Sequence, residues 1–104
     1  MTIEEKVFKL VLTIPKGRVT TYKEIARILK INPRRIGTIL HKNTNPDKIP
    51  CHRVVKSDGK LAAGYAFGGM KEQKRKLISE GIKFNKNKID LSRFSFTFSG
   101  YNVA

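Results

Sequence analysis

The pair Asn32-Pro33 constrains this chain more than any other feature of its sequence. Asparagine ahead of proline is a helix start: the amide side chain caps free backbone N–H groups, and proline's fixed φ suits the first helical position. The pair separates two short apolar-periodic stretches. Upstream, Tyr22 to Leu29 puts Ile25, Ala26 and Leu29 on one face; downstream, Arg34 to about His41 buries Ile36, Ile39 and Leu40. Two short helices a few residues apart, the second carrying Arg34, Arg35, His41 and Lys42, make a helix-turn-helix pattern. Any helical hairpin in a small domain has the same pattern, so its use has to be read from charge and chemistry.

Charge points to a polyanion. Lys and Arg total 22 against 8 Asp and Glu, a formal net charge of +14. The 39% hydrophobic content, with six Phe and three Tyr, excludes a disordered basic tail. The 104 residues are read as one domain; the stretch from about residue 85, through Ile89, Leu91, Phe94, Phe96 and Phe98, alternates weakly, and a strand, a packed tail and a loosely packed tail all stay open. No apolar run approaches the ~20 residues of a membrane span, and no membrane association is expected. The opening MTIEEKVFKLVLTIPKG mixes both charges through its apolar stretch, unlike a signal peptide. One cysteine allows no internal disulfide, which suits a cytoplasmic address, nucleoid-associated through DNA.

The other elements follow from local signals. Thr2 and Glu5 stand at capping-box spacing before Val7, Phe8, Leu10, Val11 and Ile14, a helix that Pro15 and Gly17 end. Val19-Thr20-Thr21 reads as extended. Arg53-Val54-Val55 reads as a strand turning at Ser57-Asp58-Gly59 into Lys60-Leu61-Ala62, a hairpin that would complete a winged helix. A last helix is expected over Met70 to Glu80 with Gly81 as its cap. The fold class is therefore mainly α: a winged-helix-like domain with a helix-turn-helix and a small hairpin or sheet.

Pro50-Cys51-His52-Arg53-Val54 is the sharpest chemical feature, joining the single thiol to an imidazole and a guanidinium. A thiolate is a strong nucleophile, and an ordinary thiol needs a cationic or proton-accepting neighbour to form one at neutral pH. His52 is the available base, acting through a bridging water or a sharp bend at Pro50. The plainer reading makes Cys51 a small buried hydrophobe and His52 a satisfied polar residue. One Cys and two His, with His41 ten positions before Cys51, match no metal-ligand spacing; no metal and no cofactor are expected.

Several segments taken in order resemble the C-terminal domain of the O6-alkylguanine-DNA alkyltransferases. They are Ile14-Pro15-Lys16-Gly17-Arg18-Val19 with Thr21-Tyr22, Arg34-Arg35-Ile36-Gly37, Asn43 eight positions before Cys51, Ile49-Pro50-Cys51-His52-Arg53-Val54-Val55, Gly64-Tyr65 and Glu80-Gly81. The resemblance spans Val7 to about Ile82. It implies that Cys51 accepts an alkyl group from guanine O6 irreversibly, in a single turnover, with His52 as water-linked base, Glu80 orienting it and Asn43 bracing the turn. It further implies base flipping from double-stranded DNA gripped in the minor groove by a monomer. Arg34 would be the finger filling the vacated stack, and Tyr22 would crowd the target phosphate. Gly37 would allow close backbone approach, with Thr21 and Arg35 on the same face. Tyr65, Pro50, Ala66 and Val54 would line the alkylguanine pocket, Tyr65 bonding the leaving guanine.

Three departures bear on that reading. The chain shows no counterpart of the N-terminal domain most alkyltransferases carry, as in the short alkyltransferase-like proteins, which bind lesions without transfer and signal to excision repair. The loop Gly64-Tyr65-Ala66-Phe67-Gly68-Gly69 is about one residue longer than usual, and Gln73 falls where lysine is usual. The ending Ile89-Asp90-Leu91-Ser92-Arg93-Phe94 also resembles that short group. Against these, the short proteins usually carry tryptophan in place of the cysteine, whereas position 51 is Cys and the chain has no Trp. A plain winged-helix DNA binder, the third reading, leaves Pro50-Cys51-His52-Arg53 unexplained.

Overall fold

The computed structural model describes residues 1–62 and 64–98. Helix α1 (Ile3–Leu12) begins at a complete capping box, Thr2 accepting from the Glu5 N–H while Glu5 reaches back to the Thr2 N–H. Its Val7, Leu10 and Val11 are buried against α2 (Tyr22–Leu29) and α3 (Pro33–Leu40). Thr21 caps α2 by accepting from the Glu24 N–H at 3.0 Å. Asn32 caps α3 by accepting from the Arg34 N–H at 2.9 Å, with Pro33 at its start. The turn between them passes through Lys30 at φ 58°, and Ile25, Ala26, Ile36 and Ile39 close the helix-turn-helix core.

Two short strands fix the segment bearing the thiol. β1 (Thr20–Thr21) pairs in parallel with β2 (Val54–Val55), Thr20 opposite Val54, so the chain leaving Cys51 is stitched to the entry of α2. A single 3₁₀ turn, Cys51–Arg53, lies just before β2. Helix α4 (Gly69–Ser79) packs over that turn, and Gly81, at φ +96°, releases the chain after it. The architecture is mainly helical with small sheets, as the sequence pattern implies.

One expectation is corrected. The turn at Ser57-Asp58-Gly59 forms, the Gly59 N–H donating to the Lys56 carbonyl and the Lys56 N–H to the Lys60 carbonyl, both at 2.9 Å, but among the described residues no strand pairs with β2 beyond it; β2 pairs with β1. The Gly59 carbonyl instead accepts from the Ile89 N–H at 2.9 Å, so the chain beyond the turn is held by the C-terminal segment. The antiparallel hairpin lies later, β3 (Phe84–Asn85) on β4 (Lys88–Ile89), with Lys86 and Asn87 at φ 51° and 65° in its two-residue turn. Of the segment after 85, the described residues run to 98. Ile89 and Phe94, the latter on the short helix α5 (Leu91–Phe94), enter a core with Val19, Val55, Leu61 and Leu77. The Val19 N–H donates to Phe94 and its carbonyl accepts from Phe96, which gives the free edge of β1 a partner.

Candidate active site and nucleic-acid interface

Cys51 is presented by backbone geometry that its neighbours impose. Pro50 sits at φ −79° and ψ 67°, and the Cys51 N–H donates to the Ile49 carbonyl at 2.8 Å, an inverse γ-turn. Asn43 spans that turn: its Nδ2 donates to the Ile49 carbonyl at 2.9 Å and to Cys51 Sγ at 3.4 Å, while its Oδ1 accepts from the Asn45 N–H at 2.9 Å. The sulfur is therefore a hydrogen-bond acceptor, which favours its thiolate. Burial pushes the thiol's pKa up all the same, with the Asn43 bond and the charge of Lys76 opposing. At rest the group is a protonated thiol in need of a base.

His52 has the protonation state of that base. Its Nε2 lies 3.1 Å from both carboxylate oxygens of Glu80. Burial resists ionisation of Glu80, but bonds from Arg53 and His52 outweigh it and hold the carboxyl below its ordinary range. An ionised carboxylate only accepts, so His52 Nε2 carries the hydrogen and the ring's lone pair falls on Nδ1. Nδ1 is buried with no hydrogen-bond partner among the described residues. Burial, against the pull of Glu80, keeps the imidazole below its ordinary pKa and so neutral near pH 7.

Arg53 completes this arrangement, and sequence reasoning gave it no role. Its Nε and Nη2 grip Glu80 at 2.9 and 2.6 Å, and its Nη1 donates to the Ile14 carbonyl at 2.7 Å. A planar fork on a carboxylate fixes that carboxylate's orientation, and hence the ring of His52. The 27 positions between Arg53 and Glu80 leave no local signal for the pair. Gln73, buried on α4, donates to the carbonyls of His52 and Val54 at 3.0 and 3.3 Å and so clamps the 3₁₀ turn.

The expected pocket residues divide. Tyr65 packs against the cluster containing Cys51, and its hydroxyl accepts from Lys76 Nζ at 2.7 Å. Pro50 lines a recess of about 270 Å³ with His52, Arg53, Lys76 and Glu80. Val54, fully buried on β2, points into the core, because its strand is sandwiched there; Ala66 is exposed on the loop. Val54 belongs to the same buried cluster as Cys51, against which Tyr65 packs. No group of His, Cys, Asp and Glu among the described residues is arranged to hold a metal.

On the helix-turn-helix side, Tyr22, Arg34, Gly37 and His41 line an open groove of about 760 Å³ with Lys23, Thr38 and Lys56. Arg34 and Arg35 are exposed, and no side-chain bond holds either guanidinium among the described residues. Gly37 leaves open space where a Cβ would stand. Tyr22 joins groove to thiol: it lines the groove, packs on the Cys51 cluster, and is raised in pKa by burial and by the charge of a Cys51 thiolate. Thr21 lies one residue earlier, lining the neighbouring recess rather than the groove.

This combination of a groove, a buried thiol and its base can be set against known proteins. Residues 2–82 match the model of a family described as 6-O-methylguanine DNA methyltransferase, DNA binding domain. The chain belongs to that family. A relative from Pyrobaculum aerophilum, named methylated-DNA–protein-cysteine methyltransferase, is 46% identical over 77 residues, covering 74% of this chain and 51% of the relative. One of the same name from Thermococcus kodakarensis is 40% identical over 81 residues, 77% of this chain and 45% of the relative. The chain thus spans about half the length of these curated relatives. Among solved structures, S. pombe ATL in complex with DNA is 30% identical with a TM-score of 0.77, covering 93% of this chain and 99% of that one. The O6-methylguanine-DNA methyltransferase of Pyrococcus kodakaraensis is 35% identical with a TM-score of 0.67, covering 79% and 47%. Among the described residues, no helix is long and apolar enough to cross a membrane.

Proposed function

We propose that this protein repairs O6-alkylguanine in double-stranded DNA by moving the alkyl group irreversibly onto Cys51. The observation that carries the reading is the chain of contacts from Arg53 through Glu80 to His52 beside a buried thiol that already accepts a hydrogen bond from Asn43. In the reaction, the lone pair on His52 Nδ1 takes the thiol proton through water, and Glu80 stabilises the imidazolium. The thiolate attacks the alkyl carbon in line. A C–S bond forms, the C–O6 bond breaks, and its electron pair leaves with the guanine, toward which the Tyr65 hydroxyl donates. The acceptor is the protein's own sulfur, so the step as written uses no metal or cofactor.

DNA handling follows from the groove. The target base lies inside the stack and has to rotate out before a buried thiol can reach it. In this reading α3 enters the minor groove, with Gly37 allowing close approach and Arg34 filling the vacated stack. Tyr22 crowds the target phosphate, and Thr21 and Arg35 contact the backbone beside it. A monomer suffices, one thiol for one lesion, working in the cytoplasm at the chromosome with no membrane role.

A second reading has its own support: S. pombe ATL is matched by this chain over nearly its whole length, and Gln73 stands where lysine is usual in the transferases. In that reading the protein binds lesions and signals without transfer. Mass spectrometry of the Cys51 peptide after incubation with O6-methylguanine duplex decides between them. Transfer adds one methyl group to the wild-type peptide and none to the Cys51→Ala protein. Tight, lesion-selective binding with an unmodified thiol would instead establish the second reading.

A further inference from the structure

Lys76 sits on the face of α4 turned toward the site, within a run of basic residues that otherwise read as a solvated surface. Its Nζ donates to the Tyr65 hydroxyl oxygen at 2.7 Å and stands 5.3 Å from the Tyr65 ring and 6.0 Å from the Phe67 ring. It also lines the recess that holds His52, Arg53 and Glu80. One half-buried ammonium thus touches the pocket loop and borders the acid–base machinery. Its chemistry limits what Tyr65 can do. Ammonium has three donors and no acceptor, so the Tyr65 oxygen must be the acceptor of this bond and its own O–H is left to donate elsewhere.

We propose that Lys76 is a positioning residue for alkyl transfer: it anchors the Tyr65–Phe67 loop and sets the Tyr65 hydroxyl as a hydrogen-bond donor into the pocket, with its ammonium beside the cluster that holds Cys51. The inference rests on the transfer reading for Tyr65, but the charge on the thiol is independent of it. Facing Cys51 are Asn43 from the segment after α3, Tyr22 from α2, Tyr65 from the loop and Lys76 from α4, with His52 beside it in the chain. Of these, Lys76 is the permanent cation. Burial raises the thiol, and Lys76 opposes that rise. Removing the charge therefore moves the thiol's ionisation to higher pH.

The test compares wild type, Lys76→Met and Lys76→Arg. In DNA-free protein, the pH profile of Cys51 alkylation by iodoacetamide shifts to higher pH in Lys76→Met and returns toward wild type in Lys76→Arg. Single-turnover methyl transfer from O6-methylguanine duplex at saturating DNA slows on the order of tenfold in Lys76→Met, the size of one charge-assisted hydrogen bond. In a Tyr65→Phe background the same Lys76→Met change slows transfer less, because the bond it removes is already gone. Coincident iodoacetamide profiles together with unchanged transfer rates would overturn the proposal. Absence of transfer in the wild type would sink the reading of the function, while the iodoacetamide profiles would still decide whether Lys76 acts on the thiol. Should Lys76→Met fail to fold, Lys76→Gln replaces it in the same comparison.

Discussion

At the scale of single residues, burial sets the resting state of both the proposed nucleophile and its proposed base. Cys51 is held protonated by burial, and His52 is held neutral by burial, so neither is charged until a proton passes between them. This has a consequence for stability. His52 ordinarily titrates near 6.5, and its folded value is lower. In the window below 6.5 the unfolded chain takes a proton that the folded chain refuses, so stability is lost as pH falls through it. Glu80 acts in the same direction at lower pH: its carboxyl is held below the ordinary range, and the stability that gives is lost as the group protonates. Thermal unfolding followed by circular dichroism between about pH 7 and pH 5 should therefore show a falling Tm, with a shallower fall in His52→Gln. Parallel slopes would contradict the assignment of a neutral buried imidazole. Glu80→Gln leaves Arg53 largely buried without its charge partner and is expected to cost about 3 kcal/mol in urea unfolding, whereas a surface acid would cost a few tenths.

At the scale of elements, the first four helices were legible because they carry their own punctuation, whereas the four-residue α5, capped by Asp90, is too short to show a period. Thr2 with Glu5, Asn32 with Pro33, and Gly81 mark boundaries through bonds made within a few residues. The strands were not. β1 and β2 have two residues each, too few to alternate, and they pair in parallel across 34 positions. The hairpin β3–β4 turns on Lys86-Asn87 without a glycine, while Ser57-Asp58-Gly59 has hairpin composition and is closed by the Lys56 to Lys60 bond with no strand pairing after it among the described residues. Gly59 is there for another reason: at φ +85° a Cβ would lie 2.4 Å from the Ile89 carbonyl oxygen. Gly59→Ala is expected to lower stability by about 1–3 kcal/mol and to loosen the C-terminal segment. An unchanged urea midpoint would show that this contact does not hold the tail. The candidate site divides in the same way. The thiol, imidazole and acid stood out through motif and resemblance, but the Arg53 fork on Glu80 and the Lys76 bond to Tyr65 join elements that sequence spacing does not relate.

At the scale of the whole molecule, a charge of +14 on 104 residues gives the protein an attraction for any duplex, and the groove beside α3 gives that attraction a place to act. Phosphate contacts release counterions, so affinity for undamaged duplex should fall steeply with salt, on the order of a thousandfold between about 50 and 200 mM. Arg34 should behave differently from the lysines. Its side chain is exposed and makes no bond among the described residues, so Arg34→Ala should keep the wild-type Tm and nearly the wild-type salt slope. It should slow transfer at saturating DNA, because a base that is not replaced in the stack falls back. An unchanged transfer rate would remove its role as the finger.

In the proposed function, Cys51 is consumed as a reagent. The most direct measurement titrates the protein with excess O6-methylguanine duplex and counts methyl groups on protein and guanines restored in DNA. Both should rise together and stop at one per molecule, with Cys51→Ala giving neither. Turnover beyond one, or lesion DNA held tightly while the count stays at zero, would contradict it.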